Sequence, residues 1–443
     1  MPRKSRARAL AAWVNGALAG EWRIPTRGDM EFRYDAGWAE SRHGRPLSLS
    51  LPVVADDLTV KGRAVESYFD NLLPDSDAIR RRVQERFQAD SRRPFDLLAA
   101  IGRDCVGAVQ LLPPGETPNV DTIDAQPLTD AEIEGELRHI AAPAPLGRDE
   151  EPFRISIAGA QEKTALLWHG ERWCRPLGAT PTTHIVKLPL GRVGRGQIDL
   201  TTSVENEWLC EQILDAYGLP VARSQIETFG STTVLVVERF DRRLHDSGRY
   251  WLRLVQEDFC QATATPGSRK YEDEGGPGLE QVARILRGSI RRDEDLACLL
   301  KAQILFWMLA AIDGHAKNFS IHILPQGRYQ LTPLYDVISA WPVIGHGNGK
   351  IEHEKAELAM ALHGKNKHYK LREIERRHFN STALSIGLGE NAEPLISEIL
   401  AATPRVISEV HRRVPAGFPE SVLDAVLTGV ETSAKRLDTM PPA

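Results

Sequence analysis

Cysteine is scarce: five in 443 residues, and no two of them form a CxxC pair. Cys105, Cys174, Cys210, Cys260 and Cys298 are odd in number and widely spaced. That excludes a disulfide framework and a zinc site, and fits a reducing cytoplasm. Positive charge is not in excess: 55 Lys+Arg stand against 60 Asp+Glu, a formal net charge of −5. A chain that binds nucleic acid by bulk charge is therefore not indicated. Uninterrupted apolar runs of roughly 18 residues are missing, so no membrane span is expected. Neither GxGxxG nor GxxxxGK[ST] occurs, and there is no internal repeat or low-complexity tract. What remains is ordinary globular composition, 42% hydrophobic and 26% charged, long enough for roughly two or three domains.

The N-terminus imitates a secretion signal, with a basic start, an apolar middle and the triplet Ala17-Leu18-Ala19. Asn15-Gly16 interrupts that run. WVNGALAGEW reads better as a hairpin, because Asn-Gly supplies both positive-φ residues of a type I′ turn. Further on, ESYFDNLLPDSDAIRRRVQERF predicts a helix, a break at Pro74 and a second helix capped by Asp75 or Ser76. TDAEIEGELRHIAA predicts another, capped by Thr129 or Asp130. The Pro-, Gly- and charge-rich stretch 141–152 marks a linker.

Beyond it the pattern turns to strands. RISIAGAQEKTALLWHGERWCRPL predicts a hairpin, THIVKLPL a short buried strand with one Lys, and GRVGRGQIDLTTS a polar loop. SVENEWLCEQILDAYGLP is an amphipathic helix with Val204, Trp208, Ile213 and Tyr217 on one face and Gly218 at its end. The strands SQIETF and TTVLVVERF follow. From about residue 257 helices dominate, among them EDLACLLKAQILFWMLAAI, apolar all round and hence buried. FSIHILPQGRYQLTPLYDVISA predicts a hairpin turning near Gly327, and the last 90 or so residues read as helical. The expected units are residues 1–140, a strand-rich lobe 151–256 and a helical lobe 257–443. Two lobes make a cleft, and clefts bind ligands.

Within these lobes five features bear on chemistry. Asp313 and Asn318, in DGHAKN, have the spacing of a carboxylate that deprotonates an attacking hydroxyl and an amide that holds magnesium in phosphoryl transfer. Taken alone, D-G is also plain turn chemistry. Asp336 in PLYDVIS closes the predicted hairpin, where a second metal ligand would return to the same loop. Lys187 is the lone cation in an apolar strand and must pair or snorkel; Glu205 or Glu207 on the next helix could partner it. Residues 156–163, SIAGAQEK, have the small side chains that let backbone N–H groups approach phosphate. VERFD (237–241) joins the lobes and offers backbone groups to adenine. Each feature is ordinary by itself. Their order is that of a two-lobed protein kinase.

These stretches (RISIAGAQEKTALL, PTTHIVKLP, VERFDRR, DGHAKNFSI, LTPLYDVISA) resemble the HipA family of bacterial toxin kinases. So do RPLSLSLPV, FDNLLPD, LRLVQEDFCQ, KYEDEGGPG and LAMAL. The resemblance implies an α+β, two-lobed protein-kinase-like fold with an extra N-terminal α/β subdomain and an all-helical C-terminal lobe. It implies a serine/threonine kinase that uses ATP and Mg²⁺, with Asp313 as catalytic base and Asn318 and Asp336 on the metal. ATP would lie against Ala158, Gly159, Ala160, Gln161, Glu162, Lys163 and Lys187. The hinge residues Glu238, Arg239 and Phe240, together with His315, Ala316, Lys317 and Tyr335, would complete its site. Ser156 matches the family's autophosphorylated serine. Implied partners are a HipB-like antitoxin dimer, operator DNA through that antitoxin, and a protein substrate such as glutamyl-tRNA synthetase or another aminoacyl-tRNA synthetase. Arg372, Arg376, Arg377 and His378 form a basic run that reads as a solvated helix face. Two other readings stay open: a small-molecule phosphotransferase on the same core, and a binding module that keeps the fold without activity.

Overall fold

The computed structural model describes residues 8–141, 156–159, 161–194 and 197–442. The N-terminal hairpin forms as its Asn-Gly turn requires. Arg8–Val14 pairs antiparallel with Ala17–Ile24, and Asn15 and Gly16 both have positive φ. This hairpin is the centre of a five-stranded antiparallel sheet. Its order is Thr59–Lys61, Glu31–Tyr34, Ala17–Ile24, Arg8–Val14, Val109–Leu112. Trp22, Phe32 and Tyr34 bury one face of it under the helices Arg63–Asp70 and Pro94–Ile101. Trp22 stacks on Phe69 with ring centroids 4.0 Å apart. The helix break at Pro74 is real, and Ser76 rather than Asp75 caps the helix Asp77–Phe87.

A second, six-stranded antiparallel sheet carries the middle of the chain. Its order is Ser224–Phe229, Thr232–Glu238, His184–Lys187, Lys163–His169, Arg172–Pro176, Ala125–Pro127. The helix Ser203–Ala216 packs against it, with Val204, Trp208, Ile213 and Tyr217 all buried as the periodicity predicts. Two readings differ from expectation. The strand Ala125–Pro127 and the helix Asp130–Ala141 belong to this second sheet, because Ile133 and Leu137 bury against Leu166, Trp173 and Val186. GRVGRGQIDL is not all loop: Gly191–Val193 pairs with Ile198–Leu200.

The third part is built on the helix Arg292–Leu309, whose residues are buried from Leu299 to its end. It is helix-rich but not all-helical, which corrects the expectation. Gln256–Asp258, Ser320–Ile323 and Tyr329–Leu331 form a three-stranded sheet, and Glu357–His363 pairs with Lys367–Lys370. Ser320–Ile323 is fully engaged on both edges, so Gln256–Asp258 lies across the expected boundary at 256. The LAMAL segment is a strand for a physical reason: every residue from Leu358 to Leu362 is buried, and burial on both faces removes the alternation that announces a strand. Three helices, Arg376–Ile386, Glu393–Arg413 and Glu420–Thr439, complete the lobe. No helix among the described residues is long and apolar enough to cross a membrane. All five cysteines are free.

Candidate active site

Lys187 ends its strand at the seam between the second sheet and the helix-rich lobe. Its ammonium is 2.5 Å from Glu207 Oε1 and 2.7 Å from Asp336 Oδ1. This resolves the choice left by sequence: Glu207, not Glu205, faces the strand. The reason is helical phase, since Glu207 shares the buried face with Val204 and Trp208 while Glu205 lies half-exposed. Asn206 fixes the neighbouring segment. Its amide exchanges two hydrogen bonds with the Ser339 backbone, donating to O (2.8 Å) and accepting from N (2.9 Å).

Asp336 lies five residues past the end of its strand at Leu331, in left-handed backbone with φ 61°. That conformation costs a non-glycine residue on the order of 1–3 kcal/mol, and such strain gathers at functional sites. Burial alone would push the Asp336 carboxyl up, but Lys187 and Lys163 outweigh it and hold the group well below the usual carboxylate range. The Asn318 amide donates to Asp336 O at 3.0 Å, joining the two expected metal ligands directly. Asp313 stands at the rim with its carboxylate 60% exposed. His315 is buried and is pushed down to about 4, chiefly by burial, so it is a neutral ring near neutral pH. Ala316 is fully buried beneath the loop.

Lys163 is the cross-strand partner of Lys187, so both side chains leave the same face of the sheet. Burial lowers its pKa to about 8, with Asp336 opposing and Lys187 adding to the drop. Gly159 lies directly over it: a Cβ there would fall 2.5 Å from Lys163 Nζ, and φ is 113°. Only glycine fits that seat.

The loop before Lys163 corrects one expectation. Its Ser156 and Gly159 form bridges not to a neighbouring strand of the second sheet but to Cys105 and Pro74 of the N-terminal subdomain. Ser156 is fully buried, and its hydroxyl donates to Leu72 O at 2.7 Å. Gln161 donates to Leu188 O (2.6 Å), and Glu162 pairs with Arg82. Ala158 is half-buried. Ala160 lies outside the described residues.

Two of the expected nucleotide contacts are turned elsewhere. The Arg239 guanidinium is buried away from the cleft, on Asp241 (2.7 Å), Asp104 (3.4 Å) and Cys105 O (2.9 Å). Burying a guanidinium demands such partners, and the N-terminal subdomain supplies two of them, Asp104 and Cys105 O. Glu238 N–H is committed to Arg223 O and Arg239 N–H to Thr183 O. Among the described residues Phe240 N–H has no protein partner, and its ring packs against Tyr335 at 5.6 Å. Tyr335 donates to Lys317 O (2.8 Å). Lys317 itself is held by Asp75 at 2.6 Å. Sequence reasoning gave Asp75 only a capping role. Its second anchor, Gly159 O on Asp75 N–H (3.0 Å), comes from a residue 84 positions away, which no local pattern reveals.

Magnesium typically takes one or two protein oxygens and completes its shell with phosphates and water. Among the described residues no cluster of three or more His, Cys, Asp or Glu exists to hold a metal alone. Asn318 with Asp336, backed by two lysines for phosphate, fits that habit. The basic run at 372–378 divides: Arg376 binds Glu393 and His378 stacks on His368, while Arg372 and Arg377 stay exposed, Arg377 beside Glu375.

Comparison with known proteins matches this arrangement. The HipA-like C-terminal domain model matches residues 155–407, and the HipA N-terminal domain model matches residues 10–112. The chain belongs to the HipA family. It is 34% identical to the putative kinase Y4mE of Sinorhizobium fredii over 340 residues, covering 75% of this chain and 77% of that protein. It is 28% identical to the serine/threonine-protein kinase toxin HipA of Shewanella oneidensis over 407 residues, 88% of this chain and 83% of that one. The solved complex of Shewanella oneidensis HipA, HipB and operator DNA shares the fold, with TM-score 0.77 at 24% identity over 96% of this chain and 97% of that one. Both parts of the HipA architecture are thus present, the sheet-rich N-terminal subdomain and the helix-rich C-terminal lobe.

Proposed function

We infer that this HipA-family chain is an ATP- and magnesium-dependent serine/threonine protein kinase, the toxin of a toxin–antitoxin pair. One observation carries the reading: Lys187 sits between Glu207 and Asp336, and Asp336 is tied to Asn318 on the loop that presents Asp313. Phosphoryl transfer is mainly positioning and charge stabilisation, and these are the groups it needs. When bound, magnesium nucleotide supplies the transferable phosphoryl group. Lys187 and Lys163 receive its phosphate charge, and Glu207 keeps Lys187 pointed into the cleft. Asn318 and Asp336 would hold the metal. Asp313 accepts the proton of the attacking hydroxyl. Phe240 N–H would donate to the adenine.

The partner we assign is a HipB-like antitoxin dimer bound to operator DNA; the support is the Shewanella complex, which shares the fold along nearly the whole chain. The acceptor we assign is a protein, an aminoacyl-tRNA synthetase such as glutamyl-tRNA synthetase, on the family resemblance. Free cysteines favour the cytoplasm. Self-inactivation is part of the reading. Ser156 is fully buried, with its hydroxyl on Leu72 O and its backbone N–H on Asp104 O. A phosphate there adds about −1.5 to −2 charge in a buried seat facing the Leu72 carbonyl oxygen. It cannot stay, so the loop must leave the N-terminal subdomain and Gly159 must leave Lys163.

The test is labelled ATP with cell lysate. The native chain labels a protein band, and Asp313→Gln labels none while still binding nucleotide. Loss of a general base costs about 10²–10⁴-fold. Label appearing only on small molecules would favour a small-molecule phosphotransferase instead, and undiminished transfer by the variant would remove Asp313 from the mechanism.

A further inference from the structure

The loop KYEDEGGPG has no role in the scheme above, yet Tyr271 reaches the base. Its phenol donates to Asp313 Oδ1 at 2.5 Å. We propose that Tyr271 occupies the seat of the phosphoacceptor hydroxyl on Asp313, so that an acceptor serine or threonine enters by displacing the phenol. This rests on the kinase reading of the same site.

The chemistry matches point by point. An acceptor hydroxyl must place its O–H on the Asp313 carboxylate. As its oxygen bonds to the γ-phosphorus and the bond to the ADP leaving oxygen breaks, its proton passes to Asp313. The phenol makes that same O–H to carboxylate contact. Burial and the adjacent Asp313 charge keep its pKa far above the ordinary tyrosine value. It therefore remains a donor and never acts as a rival base. The ring lies edge-on to His315, with centroids 5.2 Å apart, and carries Lys270 at 5.5 Å.

Tyr271 can leave without unfolding its loop, because the next residue holds the backbone. Glu272 N–H donates to Ala359 O (3.3 Å), and the Glu272 carboxylate accepts from Ala361 N–H (2.7 Å) and Lys367 (2.6 Å). A side-chain rotation about this anchor clears Asp313. Such a rotamer change in a partly exposed residue is fast compared with turnover.

Water is the simplest acceptor, so phosphate release from Mg·ATP reads the seat without a protein substrate. In the full chain, Tyr271→Phe is expected to raise Asp313-dependent phosphate release about fivefold, the factor for one lost hydrogen bond of ~1 kcal/mol. Affinity for Mg·ADP should not move, and Tyr271→Phe combined with Asp313→Gln should show no rise. Tyr271→Leu, checked for a native unfolding transition, should repeat the gain. Release that is unchanged or slower in Tyr271→Phe overturns the proposal, since the phenol would then be a bystander or a support for Asp313. If the native chain neither labels itself nor releases phosphate above the Asp313→Gln background, the kinase reading has failed and this inference falls with it.

Discussion

Two buried ionic networks lie in this molecule, and they are built to different ends. One joins the N-terminal subdomain to the second sheet. There Asp104 and Asp241 meet Arg239, Arg242 and Arg253, each side chain no more than 5% exposed. Thr182, Cys105 O and Gly107 take most of the remaining hydrogen-bonding positions; Arg253 Nη2 stands 3.0 Å from Asp104 without a hydrogen bond. The other is Lys187, Glu207, Asp336 and Lys163. It is open: Asp336 is 36% exposed, and Glu207 Oε2 has no hydrogen-bond partner among the described residues. The first network is out of solvent throughout and serves as a joint. The second is left incomplete on the side that faces the cleft, and an incomplete charge set is what a charged ligand can finish.

The contrast breaks most sharply at Asp336. Asp336→Asn keeps the shape but removes a charge from the open network, and phosphate transfer should fall on the order of 10²–10³-fold, with the unfolding midpoint little changed. A variant that transfers label at the native rate would mean that the open network is structural after all. Asp104→Ala is the mirror experiment. It leaves two guanidinium groups on Asp241 alone and Arg253 with no carboxylate, and removing one partner of a buried pair costs about 3–5 kcal/mol. Urea unfolding should show that loss, while Mg·ADP affinity of the folded fraction holds. Unaltered stability would disprove the joint.

A milder effect sharpens the comparison through pH. Lys163 has a depressed pKa of about 8, so it is charged below that value and neutral above it. Mg·ADP affinity should therefore weaken as pH rises from 7 to 9, by up to about tenfold per unit beyond pH 8. Lys163→Met should be weak and flat across the range; a native profile equally flat would detach Lys163 from the phosphates. The smallest effect belongs to Ser156→Ala. It loses one buried hydrogen bond, about 1 kcal/mol, and keeps initial transfer. Native protein incubated with ATP should lose activity with time, and this variant should not.

Much of the site was legible as order along the chain. Lys187 was conspicuous because an ammonium in an apolar strand demands a partner. Asp313 and Asn318 were conspicuous by spacing next to a buried helix. Arg239 misled because it sits among hinge residues whose roles are backbone roles, and side-chain direction at a hinge has no periodicity to read. The LAMAL strand reads as helix in sequence because full burial erases alternation. Asp75 and Tyr271 were invisible as site residues, since each acts through a partner far away in sequence, Lys317 and Asp313 respectively.

The sequence by itself determined the local pieces: the Asn-Gly hairpin, the amphipathic helix before Gly218, the buried helix before Asp313 and the residue types for phosphate, metal and proton. Those follow from short-range backbone preference and the period of burial. Only the tertiary structure decided that Glu207 meets Lys187, that Asp336 turns left-handed to face them, and that the N-terminal subdomain grips Ser156 and Lys317. Such choices depend on which charges must share a low-dielectric space once the chain is packed, and that sum is over neighbours in space, which a one-dimensional pattern does not contain.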